Sequence, residues 1–261
     1  MLDRLVLGLL SSAPPAAVDR ARRLPLVAPL LKGVVTALSR SLVGRELVLA
    51  DGEAAGLHFA VDRSSVVWAT GRVELSVQRA LAGALSRGDV FFDVGANVGF
   101  YTLLAARAVG PTGRVVAFEP HPENVAALER NVLLNGFENV VVVPKAASGG
   151  AGRALLEAGN RATAKLGAPR GLEVETIALD DFVTAHPDLR PAVVKIDVEG
   201  HELDVLEGFR RTLEQSAPIL LCEMHGRNAE FVAAASRFGF TCLSVGDTAA
   251  LSASHLLATR A

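Results

Sequence analysis

From Val90 onward the chain repeats one pattern: a short apolar run without polar alternation, then a longer stretch with apolar residues every three or four positions. The short runs are Val90–Val94, Val115–Glu119, Val140–Val143, Val193–Asp197 and Ile219–Glu223. The longer ones are Phe100–Ala108, Pro122–Asn135, Glu202–Gln215 and Ala229–Phe238. Strands apolar on both faces belong in a sheet covered on both sides. Their alternation with helices predicts a doubly wound α/β fold with a mostly parallel sheet and right-handed crossovers. The tail, Phe240–Val245 and then Ala249–Ala258, reads as two strands that finish the sheet as a hairpin. Upstream, Glu46–Val67 alternates loosely around an Asp51-Gly52 turn, which predicts a hairpin, and a helix is expected over Glu74–Leu85. The stretch from Gly149 to Gly171, rich in Gly, Ala and Arg, is expected to be a loop or insertion. The expected division is an N-terminal helical segment and hairpin over 1–70, packed on or lining the substrate side of a main domain over 71–261.

Half of the 261 residues are hydrophobic, which is ample for one large core. A formal net charge of −2 argues against a nucleic-acid partner. Cys222 and Cys242 sit in apolar, strand-like contexts, which predicts buried thiols in a reducing, cytoplasmic setting. Leu5–Ala17 is too short and too close to Asp3 for a secretory signal. No uncharged apolar run is long enough to span a bilayer. The basic, Leu-rich segment Val18–Arg45 is expected to pack on its own domain, with loose membrane contact as the alternative.

In doubly wound folds ligands bind beyond the carboxyl ends of the strands. Those ends read Asp93-Val94-Gly95, Glu119-Pro120, Lys145-Ala146, Asp197-Val198-Glu199 and Glu223-Met224-His225, and four of the five carry a carboxylate. The first opens a strand–glycine loop–helix, the usual frame for a nucleotide-like ligand. A dinucleotide lays its pyrophosphate on such a helix N-terminus, where Asp93 would repel it. S-adenosylmethionine has no phosphate and carries a sulfonium and an ammonium, which a carboxylate favours. Glu119, 20 residues after Gly99, is placed to accept from two ribose hydroxyls. An NAD-dependent oxidoreductase is the competing class; it would want a glycine where Thr102 stands. A non-catalytic adenosylmethionine-binding protein is a third.

The segments DVGANVGFYTLLAA, FEPHPENVAALERNVLLNG, VETIALDDF, VVKIDVEGHELDVLEG and LLCEMH resemble the FkbM-type methyltransferases, over roughly Gly71 to His225, with Gly71 and Glu74 echoing a Gly-x-x-Glu element upstream. The resemblance implies a seven-stranded methyltransferase fold and an S-adenosylmethionine-dependent enzyme, in many members an O-methyltransferase of natural-product or sugar hydroxyls. It assigns Asp93, Gly95, Asn97 and Gly99 to the methionine-end loop, with Tyr101 and Thr102 behind it. It assigns Glu119 to the ribose and Pro120 to the adenine edge. The family often has an acidic residue near the adenine amine after the third strand. Here the run is Lys145-Ala146-Ala147-Ser148-Gly149, which leaves Ser148 or backbone to make that contact.

A hydroxyl acceptor must lose a proton, to a side-chain base or with a metal that acidifies it. The candidates are Asp197, Glu199, His201, Glu223 and His225. Strand period puts Lys195 with Asp197 on one face, and Glu223 with His225 on another. Asp197, His201, Glu223 and His225 are the expected catalytic set. A divalent-metal site from Asp197, Glu223 and His225 is open by ligand type. No short ligand spacing demands it, so a side-chain base is preferred and no metal ligand is assigned.

Overall fold

The structure is a computed structural model that describes residues 41–62, 65–157, 164–246 and 254–260. The readings of Leu5–Ala17 and of most of Val18–Arg45 lie outside the described residues. The chain divides after Val73 into two compact units. In the first, β1 (Glu46–Val48) pairs antiparallel with β2 (His58–Ala60). Leu47 faces Phe59 in that register, and both are buried. Trp68, an apparent core residue by sequence, is half-buried in a 3-10 turn, Trp68–Thr70.

The second unit holds a seven-stranded sheet. Its members are β3 (Val90–Val94), β4 (Arg114–Phe118), β5 (Val140–Val143), β9 (Val193–Ile196), β10 (Ile219–Glu223), β11 (Thr241–Ser244) and β12 (His255–Thr259). Their order is β11-β12-β10-β9-β3-β4-β5. The five Val/Ile-rich strands run parallel, whereas β12 is antiparallel to both β10 and β11. Every residue of β9 is buried, as an all-apolar run requires. The expected terminal hairpin is present as β11 and β12.

Helices α1 (Leu75–Ala84), α2 (Phe100–Val109) and α3 (Pro122–Leu134) precede β5 in the chain. Helices α4 (Leu179–Ala185), α5 (Glu202–Glu207), α6 (Arg210–Ser216) and α7 (Asn228–Arg237) follow. Phe92, Phe118 and Phe182 meet edge to face at 5.2–5.6 Å between ring centroids, and Phe209 lies 6.4 Å from Phe92. Each edge-to-face pair adds about 0.5–1.5 kcal/mol beyond its burial.

Two expectations change. Glu202–Gln215 is two helices, broken at Gly208 and Phe209. A Cβ on Gly208 would strike the Ser148 carbonyl, and Asp180 accepts from the Arg211 and Thr212 amides (2.8 and 2.9 Å), capping α6. The Gly149–Gly171 stretch is not wholly irregular: β7 (Gly152–Glu157) forms a hairpin with β8 (Gly171–Ile177). The short β6 (Ala146–Ala147) joins β8 in parallel, making a second, three-stranded sheet.

Candidate functional site

The cleft opens at the carboxyl ends of β3, β4 and β9. Its walls include Gly95, Asn97, Glu119, Pro120, Asp197 and Glu199, with Ala146, Ala147, Leu156 and Leu166 supplying an apolar side from the second sheet. Gly95 shapes it. Its φ of +82° suits glycine, and a Cβ there would run into the Asp197 carbonyl. The Gly95 and Ala96 amides donate to Phe118 O, which ties the loop to β4. Asn97, also left-handed at φ 51°, donates its amide to Glu119 Oε2 at 2.9 Å. Glu119 Oε1 accepts from the His121 amide (2.9 Å) and Asn124 Nδ2 (3.1 Å). Burial pushes the Glu119 carboxyl up to about 7 against those three hydrogen bonds.

Asp93 is 1% exposed. Its Oδ2 accepts from Thr102 Oγ1 at 2.6 Å, and its Oδ1 has no partner. Burial raises its pKa, opposed by Lys195 and Thr102. Gly99 starts α2 at φ 90°, and a Cβ there would press on Leu128 of α3, so its place is a packing requirement. Tyr101 is buried, donates its hydroxyl to Glu74 Oε2 at 2.6 Å, and lies beneath Lys195 Nζ, 4.8 Å from the ring centroid. Pro120 lines the cleft as expected. Ser148 does not. Its amide is bound to Ile177 O, and Ala146 and Ala147 take the wall instead.

Beside this lies a dense cluster of charge on β9, β10 and β12. Lys195 Nζ, its side chain 2% exposed, reaches Asp197 Oδ2 at 2.9 Å. Burial acts to lower its pKa, but Asp197, Asp93 and Glu223 outweigh burial and raise it, so Lys195 is a fixed cation. Burial raises Asp197 to about 6 against the Lys195 charge, and Glu223 reinforces the rise. Glu223 moves the other way. Burial would raise it, yet His255 and Lys195 prevail and lower it. One proton therefore belongs to Asp197 before Glu223. Facing atoms of Asp197, Glu223 and His225 all lie within 4.8 Å of one another.

Both histidines of the expected catalytic set are engaged elsewhere. His201 turns to the second sheet, with Nε2 2.7 Å from Leu166 O and Nδ1 3.0 Å from Asp204 Oδ2. Both partners are acceptors, so each ring nitrogen is turned toward the protein rather than toward the charge cluster. His225 Nδ1 is 2.7 Å from Glu202 Oε1, and Nε2 is 3.3 Å from Glu199 Oε2. The Glu202 hydrogen bond raises His225 to about 9, against burial and with help from Glu199. An imidazolium accepts no proton, so the geometry suits His225 as a fixed cation rather than a base.

The FkbM methyltransferase domain matches residues 93–250, more than half of the chain. The chain belongs to the FkbM methyltransferases. The hexuronic acid methyltransferase AglP of Haloferax volcanii is 30% identical over 186 residues, 69% of this chain and 75% of that protein. An arsenite methyltransferase of Halobacterium salinarum is 39% identical over 57 residues, 22% of this chain and 15% of that protein. The crystal structure of an FkbM methyltransferase from Methylobacillus flagellatus KT aligns with a TM-score of 0.49 at 17% identity. That alignment covers 76% of this chain, and this chain spans 55% of that one.

This FkbM methyltransferase is therefore an S-adenosylmethionine-dependent enzyme, and the oxidoreductase reading falls away. Sequence reasoning missed five participants. Glu202 reads as an acid favouring a helix start, yet it is 1% exposed and holds His225. Asn124 and the apolar pair Leu156 and Leu166 gave no sign of lining a cleft. His255 had no visible partner. Antiparallel β12 places it directly opposite Glu223, a pairing no local pattern announces. Among the described residues no helix is long and apolar enough to cross a membrane.

Proposed function

We propose that the chain methylates a hydroxyl of a sugar or similar small molecule, with Asp197 as the proton acceptor. One observation carries this reading: Asp197 is on the cleft wall, its backbone pressed against the Gly95 loop, and its carboxylate is held by buried Lys195.

The cleft's chemistry fits S-adenosylmethionine. Its named acids are Glu119, Asp197 and Glu199, and among the described residues neither lysine nor arginine lines it, which suits a sulfonium and would repel a pyrophosphate. Bound there, S-adenosylmethionine supplies a methyl group activated by positive sulfur. Glu119 keeps one acceptor site, on Oε2, for a ribose hydroxyl, Phe118 and Pro120 border the adenine, and Leu156 and Leu166 exclude water from it. Asp93 acts through Thr102 and by charge, from beneath the loop. Tyr101 and Gly99 hold the frame.

S-adenosylmethionine held there would supply the methyl group to the acceptor oxygen and leave with the sulfur electron pair, and Asp197 would take the hydroxyl proton. Lys195 holds the Asp197 carboxylate in place, and Glu223 keeps it basic enough to take a proton. Positioning and exclusion of water provide the rest. The likeness to a hexuronic acid methyltransferase supports a sugar-like acceptor. The two unpaired cysteines support a cytoplasmic setting.

The test is methyl transfer from isotopically labelled S-adenosylmethionine to a panel of neutral hexoses and uronates, with the product linkage read by NMR. An ether is expected. A methyl ester would overturn the proton-acceptor role, because a carboxylate acceptor has no proton to lose at neutral pH.

A further inference from the structure

His255 is the residue the methyl-transfer reading does not use. Its side chain is 7% exposed and its Nε2 has no hydrogen-bond partner, although a buried polar nitrogen left unpaired is costly. The ring is oriented by Nδ1, 3.2 Å from Ser254 Oγ. Its other nitrogen, Nε2, is turned toward two carboxylate oxygens, Glu223 Oε2 at 3.6 Å and Glu74 Oε2 at 3.7 Å. Where the ring's proton is on Nδ1, three electron-rich atoms face one another, an arrangement that a bound cation satisfies. The spacing is too long for a hydrogen bond. It is close to the roughly 3.4 Å that separates ligand atoms around a tetrahedral ion with bonds of about 2.1 Å.

Glu74 is held for such a task. It sits at the start of α1 with φ 51° and ψ 48°, a left-handed conformation that a non-glycine residue adopts only where its surroundings impose it. Its Oε2 also accepts the Tyr101 hydroxyl at 2.6 Å, the kind of outer contact that orients a metal-binding carboxylate. Glu223 is shared. Oε1 faces His225 at 3.8 Å, while Oε2 faces His255. The neighbouring group of Asp197, Glu223 and His225 makes a poorer site, because Lys195 already neutralises Asp197 and both His225 nitrogens face other carboxylates.

We propose that Glu74, Glu223 and His255 bind a divalent first-row cation, such as Mn²⁺ or Zn²⁺, behind the acceptor side of the cleft. One imidazole and two carboxylates suit those ions better than Mg²⁺ or Ca²⁺, which take oxygen ligands. The ion offsets two of the crowded carboxylates and fixes Glu223 beside Asp197.

Metal binding is measured without any methyl acceptor, so this proposal and the hydroxyl reading fail separately. Untagged protein freed of metal by chelation is titrated with Mn²⁺ under electron paramagnetic resonance, and with Zn²⁺ by calorimetry. One ion per chain is expected, with a higher melting temperature on saturation. His255→Asn and Glu74→Gln should each weaken binding at least tenfold, while His225→Gln should leave it within twofold. Glu74→Gln decides the matter if the His255 variant fails to fold, since Glu74 is at a partly exposed helix start. The proposal is overturned if the wild-type protein binds neither ion saturably. It is overturned equally if His225→Gln abolishes binding while Glu74→Gln does not.

Discussion

The two halves of the cleft handle their carboxylates in opposite ways. On the cofactor half, Asp93 and Glu119 are separately buried, and each is met by neutral donors: Thr102 for one, and the Asn97 and His121 amides with Asn124 for the other. On the acceptor half, Asp197, Glu199, Glu202 and Glu223 are met chiefly by cations and by one another, through Lys195 and His225. Neutral donors build a fixed binding surface whose charge is left for the ligand. Mutually coupled charges build a surface on which a proton can change place at low cost, because moving it only redistributes charge the cluster already holds.

The comparison breaks first, and by the largest margin, at Asp197. Asp197→Asn removes the proposed proton acceptor and keeps the shape. Turnover should fall roughly 10²–10⁴-fold, with S-adenosylmethionine affinity little changed. Single-turnover rates and calorimetry on the same preparation separate the two. Unchanged turnover would mean that the cluster is only a structural set of strand-end groups.

Next comes the hinge between the halves. Gly95→Ala puts a methyl group against the Asp197 carbonyl at a left-handed position, and strain plus displacement should cost roughly 2–4 kcal/mol. Chemical denaturation measures it. A loss below about 0.5 kcal/mol would show that the loop and β9 are not in close contact. Both ends of this contact were legible in the chain, Gly95 as part of a glycine loop and Asp197 as a strand end. That they touch was not, because β9 joins β3 after roughly 100 intervening residues and nothing local encodes the pairing.

The same physical divide runs through the rest of the molecule. Val/Ile runs such as β9 identify themselves because both faces are apolar, so the sheet and its five parallel strands were readable. The β7–β8 hairpin was not. Only one face of β8 is covered, by a small cluster of Ala146, Leu156 and Val174, and its other positions carry exposed Glu173 and Glu175. Site residues followed suit. Glu119 and Asp197 end strands and line the cleft, where position alone put them, whereas Ser148, also chosen by position, is not among the lining residues. Its polar side chain drew attention, but the β6–β8 pairing turns its backbone to Ile177 and leaves the wall to two alanines. Glu202 was hidden because an acid at a helix start has an ordinary local explanation.

The cofactor half is sharpened at Glu119. Glu119→Gln keeps one acceptor oxygen and should weaken S-adenosylmethionine binding by about 1.5–3 kcal/mol. The wild-type carboxyl, raised to about 7 by burial, must be ionised to accept from a ribose hydroxyl beside its three protein donors. Affinity should therefore rise with pH through 7, and binding near pH 6.5 should release a proton. Calorimetry in buffers of different ionisation heat detects that proton. The Glu119→Gln variant should bind weakly at every pH, with a flat profile, and a wild-type profile equally flat would refute the ribose role.

The smallest effect separates His201 from the acceptor half altogether. By position it belongs with the catalytic strand ends, yet its ring joins the second sheet to α5 through Leu166 O and Asp204. His201→Ala removes those contacts and loosens the apolar wall, which at about 0.5–1.5 kcal/mol amounts to a few-fold to tenfold loss of cofactor affinity. Turnover at saturating S-adenosylmethionine should stay within about twofold, because both ring nitrogens are turned to Leu166 O and Asp204. The ratio of the two effects is the discriminating quantity. A large fall in turnover with intact affinity would return the proton to His201 and would require the imidazole to swing away from Leu166 during the reaction. A fall in affinity alone places it with Leu156 and Leu166, among the residues that close the cofactor half against water.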